Sequence, residues 1–185
     1  MNRFLLTAIS LCLVALPAAA QPTFEQIVKK AEAKFEPASA RPGQTVTVKV
    51  TLQLIDGWHT YPVMQTDPAA KNYVNKFTFP TDGSVVYVGD FDDPSGGKEK
   101  AEPLAMIEKM TYYPGGATWE RKAVVLPTTK PGEVSSKIKV KVLVCNKDNC
   151  LPPKPLELEA TLKVAGEPMP VDPKYKAEVE KAEKK

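Results

Sequence analysis

Thr45-Val46-Thr47-Val48-Lys49-Val50-Thr51-Leu52-Gln53-Leu54-Ile55 places Val46, Val48, Val50, Leu52 and Leu54 on one side of a period-two repeat, with Thr47, Lys49, Thr51 and Gln53 on the other. That is a strand with one buried and one wet face; a helix would scatter the same residues around its circumference. Asp56-Gly57 follows as a turn, because glycine takes the positive φ such turns require. Trp58-His59-Thr60-Tyr61 then continues as a short strand ended by Pro62.

Outward from this stretch the same alternation recurs. Ala31, Ala33 and Phe35 alternate with Glu32 and Lys34 ahead of the turn-forming Arg41-Pro42-Gly43. Downstream, Lys76 to Phe79, Ser84 to Val88, Met106 to Tyr112 and Thr118 to Leu126 read as strands, each bounded by Gly, Pro or Asp. Two further strands are the clearest. Ile138, Val140, Val142 and Val144 oppose Lys137, Lys139 and Lys141, and Leu156, Leu158, Ala160, Leu162 and Val164 oppose Glu157, Glu159 and Lys163. Eighteen prolines against ten glycines disfavour a helical bundle, since proline breaks helix interiors. About nine short antiparallel strands with Pro/Gly punctuation predict an all-β fold, an immunoglobulin-like β-sandwich. The last two strands should form a hairpin with lysines facing glutamates, each pair worth at most about 1 kcal/mol.

The chain divides into a leader over residues 1–20, a sandwich domain over 21–170 and a charged tail over 171–185. Asn2 and Arg3 precede an apolar run from Phe4 to Leu16, then Pro17-Ala18-Ala19-Ala20. This is the pattern of a cleaved export signal, and the run is shorter than the roughly 20 residues a membrane span needs. A periplasmic or otherwise exported location is expected, with no span after signal removal. Gly89 to Pro103 is polar and glycine-containing and reads as a surface loop. The tail, rich in Lys, Glu and Ala, is too short to be a stable isolated helix and is expected to fray.

The 25 basic and 22 acidic residues give a net charge of +3, far too even a balance for a nucleic-acid footprint. Of three cysteines, Cys12 lies in the leader, which leaves Cys145 and Cys150 in a compartment where disulfides persist. Structural zinc needs four ligands, and two cysteines with one histidine do not supply them. No metal or other cofactor is expected. As a staple the pair is weak, because closing so short a loop constrains the unfolded chain by roughly 2 kcal/mol, against about 4.7 for a loop of a hundred residues. At a loop tip it is within reach of a partner thiolate. On spacing alone a structural staple and a redox-exchange pair both remain open.

Cys145-Asn146-Lys147-Asp148-Asn149-Cys150-Leu151-Pro152-Pro153, following an alternating strand, resembles the N-terminal domain of thiol:disulfide interchange proteins of the DsbD family. Asp56-Gly57-Trp58-His59-Thr60-Tyr61 resembles a second motif of that family at the start of an early strand. The likeness spans most of Phe35 to Val164. It implies an immunoglobulin-like domain that passes electrons from a membrane-embedded or thioredoxin-like donor, on another polypeptide, to oxidised periplasmic proteins. Cys150 would form the mixed disulfide with partners and Cys145 would resolve it. Trp58, His59 and Tyr61 would line the site or support the hairpin. Asp148 would oppose a thiolate, and Lys147 and Lys154 would favour one. The family's pair is often separated by five residues and here by four, which makes a tighter loop. The family's shielding aromatic has no clear counterpart; Phe91, Tyr112 and Tyr113 are the candidates. The rival reading is a non-catalytic exported binding module whose disulfide shapes a recognition loop.

Overall fold

The computed structural model describes residues 21–184; the expected leader, residues 1–20, lies outside them. Among the described residues twelve strands are formed: β1 (Val28–Glu36), β2 (Ser39–Ala40), β3 (Thr45–Leu54), β4 (His59–Thr60), β5 (Lys76–Thr78), β6 (Val85–Val88), β7 (Lys98–Glu102), β8 (Ile107–Pro114), β9 (Gly116–Val125), β10 (Gly132–Val142), β11 (Val144–Cys145) and β12 (Lys154–Val164). A single turn of helix, α1 (Phe24–Ile27), precedes them, and α2 (Lys176–Glu183) closes the chain.

Two sheets make the sandwich. One has the order β1-β3-β9-β6 and the other β2-β12-β10-β5. All their pairings are antiparallel except the short β2–β12 contact. This is the all-β sandwich expected. The deciding stretch behaves as its periodicity demands: Val46, Val48, Val50, Leu52 and Leu54 are buried and the residues between them are not. With Phe35, Trp119, Ile138, Val140, Leu162 and Val164 they form one continuous core between the sheets. The β10–β12 hairpin runs in unbroken register from Gly132↔Val164 to Val142↔Lys154. Lys137 stands opposite Glu159 but makes its ion pair, at 3.0 Å, with the diagonal Glu157.

A third, small sheet, β11-β4-β8-β7, hangs from one end of the sandwich. The β8–β9 connection ties it down. The Gly115 amide donates to the Trp58 carbonyl and its carbonyl accepts from Leu54, both at 2.9 Å. Gly116 has φ +103, and a Cβ there would lie 2.0 Å from the Leu52 carbonyl oxygen, so only glycine fits.

Three expectations are corrected. The stretch Gly89 to Pro103 is not all loop, since Lys98–Glu102 pairs with β8 from Lys98↔Tyr112 to Glu102↔Ile107. Its Lys/Glu composition hides a strand because it is a sheet edge, where charge guards against edge-to-edge pairing. Within the remaining loop, the Asp93 carboxylate accepts from the Val63 amide at 2.7 Å and the Trp119 indole at 3.0 Å. Next, the strand expected to run to Val144 breaks at Leu143, and Val144–Cys145 pair with β4 on one side while facing Cys150–Leu151 on the other. Last, the tail does not fray as far as residue 184. Tyr175 and Val179, one helical turn apart, are buried against Val88 and Val124, and the Glu178 carboxylate accepts from the Gly89 amide at 3.2 Å. Docking on the outer face of the β6–β9 pair supplies what an isolated helix lacks.

Candidate functional site

Cys145 and Cys150 are joined by a disulfide within the segment that connects β10 to β12, across the turn at its tip. The Asn146 amide donates to the Asn149 carbonyl at 2.9 Å and the Leu151 amide to the Val144 carbonyl at 3.0 Å. The cysteines between these bonds therefore form a non-hydrogen-bonded cross-strand pair, the kind whose Cα atoms lie closer together; here they are 4.0 Å apart. The Asn146 side-chain oxygen accepts from the amides of Asp148 at 2.9 Å and Asn149 at 2.7 Å, which fixes the turn. The two sulfur-bearing residues differ sharply in access: Cys145 is 1% exposed, whereas Cys150 is on the surface.

The second motif lies directly alongside. β11 and β4 pair with Cys145 opposite His59 and Val144 opposite Thr60, and β4 continues the sheet to Pro114 and Tyr113 of β8. Cys145 thus packs in a satellite cluster with Tyr61, Ala70, Ile107, Met110 and Leu143, flanked by Tyr73 and Tyr112. His59 is buried, with its Nε2 at 3.1 Å from the Tyr61 hydroxyl. Its ring meets Tyr61 and Tyr112 edge-on, with centroids 5.3 and 5.0 Å away. Burial, assisted by the nearby Lys100 ammonium, pushes the His59 pKa down to about 4, so the imidazole is uncharged at neutral pH. Burial also raises the Tyr61 hydroxyl well above its ordinary range, which keeps it protonated.

A buried polar bracket holds the two segments together. The Leu143 amide donates to Asn75 Oδ1 at 2.9 Å, and Asn75 Nδ2 donates to the Thr60 hydroxyl at 2.9 Å and the Tyr61 carbonyl at 2.7 Å. Thr60 Oγ1 in turn donates to the Leu143 carbonyl at 2.9 Å. Asn75 is 1% exposed. Sequence reasoning passed it over, because a single Asn beside a short strand carries no periodic signal.

The other expected site residues fall in different places. Trp58 enters β4 but is buried in the sandwich core, apart from the cluster around Cys145. Asp148 sits exposed on the turn and pairs with Lys147 at 2.9 Å. The Lys154 ammonium is taken by Glu25 of α1. Of the shield candidates, Phe91 packs on Phe77 and Phe79, and Tyr113 packs near Trp119, all within the sandwich. Tyr112 alone of the three stands by the cysteine pair, against His59. Among the described residues no cluster of three or more His, Cys, Asp and Glu side chains could hold a metal ion, and no helix is long and apolar enough to cross a membrane.

No known protein family matches the chain, and no curated protein matches it. Among solved structures it is similar to the N-terminal periplasmic domain of ScsB from Proteus mirabilis, at 13% identity and TM-score 0.44 over 83% of this chain. The chain spans about half of that structure, 52% of its length. It is also similar to a type I cohesin–dockerin complex from Clostridium thermocellum, at 16% identity and TM-score 0.31, over 74% of this chain and 100% of that one. A C-terminal fragment of the major pilin of Streptococcus agalactiae matches at 8% identity and TM-score 0.33, over 75% of this chain and 56% of that one.

Proposed function

We propose that this chain is an exported thiol:disulfide interchange domain, which relays electrons through Cys145 and Cys150 from a membrane-embedded or thioredoxin-like donor to oxidised periplasmic proteins. The observation that carries the reading is the asymmetry of the disulfide: an exposed Cys150 bonded to a buried Cys145. Exchange requires a thiolate to approach one sulfur in line with the bond it breaks. Only the Cys150 side is open to that approach.

The cycle then follows. A donor thiolate attacks Cys150 Sγ, the intramolecular bond breaks, and its electron pair leaves with Cys145 Sγ, which takes up a proton. The donor's second thiol, losing its proton, attacks the donor sulfur of the mixed disulfide. Cys150 is released as a thiolate and the donor departs oxidised. Toward an oxidised acceptor the steps reverse: Cys150 attacks the acceptor disulfide, and Cys145 displaces the acceptor thiol and re-forms the bond. Two electrons pass in each half.

Neutral His59 offers Cys145 no positive charge, and Lys100, Lys147 and Lys154 are each paired with a carboxylate. The domain thus lacks the cationic setting that makes self-sufficient oxidants. The reactive thiolate comes from the partner, as suits a relay. Asn75 acts as a positioning residue that holds Leu143, and hence Cys145, against β4.

Cys145→Ala removes the resolving thiol. It should accumulate mixed disulfides through Cys150 with thioredoxin-like or exported proteins, seen as reducible higher-mass species, and Cys150→Ala should not. A redox-buffer titration of the native pair should place it with exchanging couples, at about −270 to −120 mV; a value below about −300 mV marks a structural bond and overturns the reading.

A further inference from the structure

Arg121 stands where the sandwich should have an apolar residue. Along β9 the buried, inward-facing side chains are Trp119, Ala123 and Val125, and alternation puts Arg121 on the same face. Its neighbour on β3 is Val48, whereas β6 ends at Val88↔Lys122, so the edge beside Arg121 is open. The guanidinium carbon lies 4.7 Å from the centroid of the Phe79 ring and 5.9 Å from that of Tyr87.

Stacking on ring faces leaves the N–H groups of the guanidinium edge without a role. Among the described residues Nε is buried with no hydrogen-bond partner, and no carboxylate lies within ion-pairing distance of Arg121. The nearby oxygens are engaged elsewhere: the Tyr87 hydroxyl with Ser136 at 2.6 Å and the Glu178 carboxylate with the Gly89 amide. Burial disfavours the charged form of this arginine and outweighs the opposing pull of Glu178 and Tyr87. An unpaired, partly buried cation is costly, and a carboxylate is the acceptor that fits its planar fork.

The space for that acceptor exists. A cavity of about 280 Å³ opens between the sandwich edge and α2, lined by Phe79, Val86 and Tyr87 on one wall, Glu178 and Lys181 on the other, and Arg121. We propose that this cavity binds a small organic monocarboxylate with an apolar body, its carboxylate on Arg121 and Lys181 and its body against Phe79, Val86 and Tyr87. Two cations against one carboxylate leave room for a single negative charge and disfavour a dianion such as phosphate. The apolar wall selects against acetate, and a volume near the lower end of ordinary ligand sites limits the size. The site is separate from the disulfide and does not depend on the function proposed for it.

Benzoate and hexanoate serve as probes, with acetate and inorganic phosphate as comparisons, titrated into the protein and followed by amide chemical shifts. Benzoate should saturably shift the amides of Val86 to Val88, Arg121 and Glu178 to Ala182. Arg121→Gln should weaken it by about ten-fold or more, as loss of a charge-assisted pair implies, and Lys181→Ala by a few-fold. Lys181 is exposed on α2, so its variant decides the matter even if Arg121→Gln does not fold. Absence of saturable shifts, equal binding by wild type and Lys181→Ala, or phosphate binding as well as benzoate would each overturn the proposal.

Discussion

The sandwich and the small sheet bearing the disulfide are built on different physical terms. In the sandwich, long strands bury one apolar face each, and β3 pairs along nearly its full length with both β1 and β9. The small sheet is held by pairings of two residues each between β11, β4 and β8. What it lacks in ladder it makes up with a disulfide, an edge-on cluster of His59, Tyr61 and Tyr112, and the bracket centred on Asn75. Apolar burial is non-directional and tolerates small shifts, whereas a buried polar bracket fixes position and is expensive to leave half made. A rigid scaffold thus carries a disulfide that is positioned by a few directional contacts and keeps Cys150 at the surface.

Trp119→Ala probes the sandwich side of this contrast and should have the largest effect. Trp119 is 1% exposed, and its loss should cost about 3–5 kcal/mol, read as a lower urea midpoint. The rate at which a small phosphine reduces the disulfide of the still-folded protein should hardly change. A parallel acceleration of reduction would show that the two regions loosen together and break the contrast.

Acid should act on the small sheet next. His59 has a folded pKa of about 4 against an ordinary 6.5, so the unfolded chain binds its proton first as the pH falls. Stability is therefore full above about 6.5 and lost between 6.5 and about 4, by on the order of 3 kcal/mol at the acid end. Glu25, Glu36 and Asp67 are held below their ordinary values, and their losses set in at lower pH. Denaturation midpoints at stepped pH should show this slope in the wild type and a flatter one in His59→Gln. An unchanged slope would place the acid sensitivity outside the small sheet.

Asn75→Ala should have the smallest effect on stability and the clearest one on the site. It leaves the buried Leu143 amide without its acceptor, a cost of about 1–3 kcal/mol. With β11 no longer braced against β4, phosphine reduction of the disulfide should quicken by more than the global loss explains. Equal stability loss with no change in reduction rate would make Asn75 a fold residue and not a positioning one.

These two regions also differ in how readily they can be read from residues alone. β3, β10 and β12 announce themselves, because burial of one face writes a period of two into the sequence. The cysteine pair and the Trp58-His59-Thr60-Tyr61 segment stand out by residue type, and two of the four expected supporting residues, His59 and Tyr61, lie next to Cys145. Trp58 and Asp148 show why type is not position: one indole serves the sandwich core, and the carboxylate sits exposed on a surface turn, paired with Lys147. β7 escaped notice because its charges suit an edge. The docking of α2 escaped because two apolar residues a turn apart mean little until a sheet face is there to receive them.

Local chemistry by itself determined that this chain is a β-sandwich with a cysteine pair on a turn, since alternation, turn residues and residue type are properties of short stretches. Which cysteine is exposed, that β4 lies against the buried one, and that Arg121 faces inward with its Nε lacking a hydrogen-bond partner among the described residues were decided only by the tertiary structure. Each depends on segments distant in sequence meeting at one end or edge of the sandwich, and no short-range pattern records such a meeting.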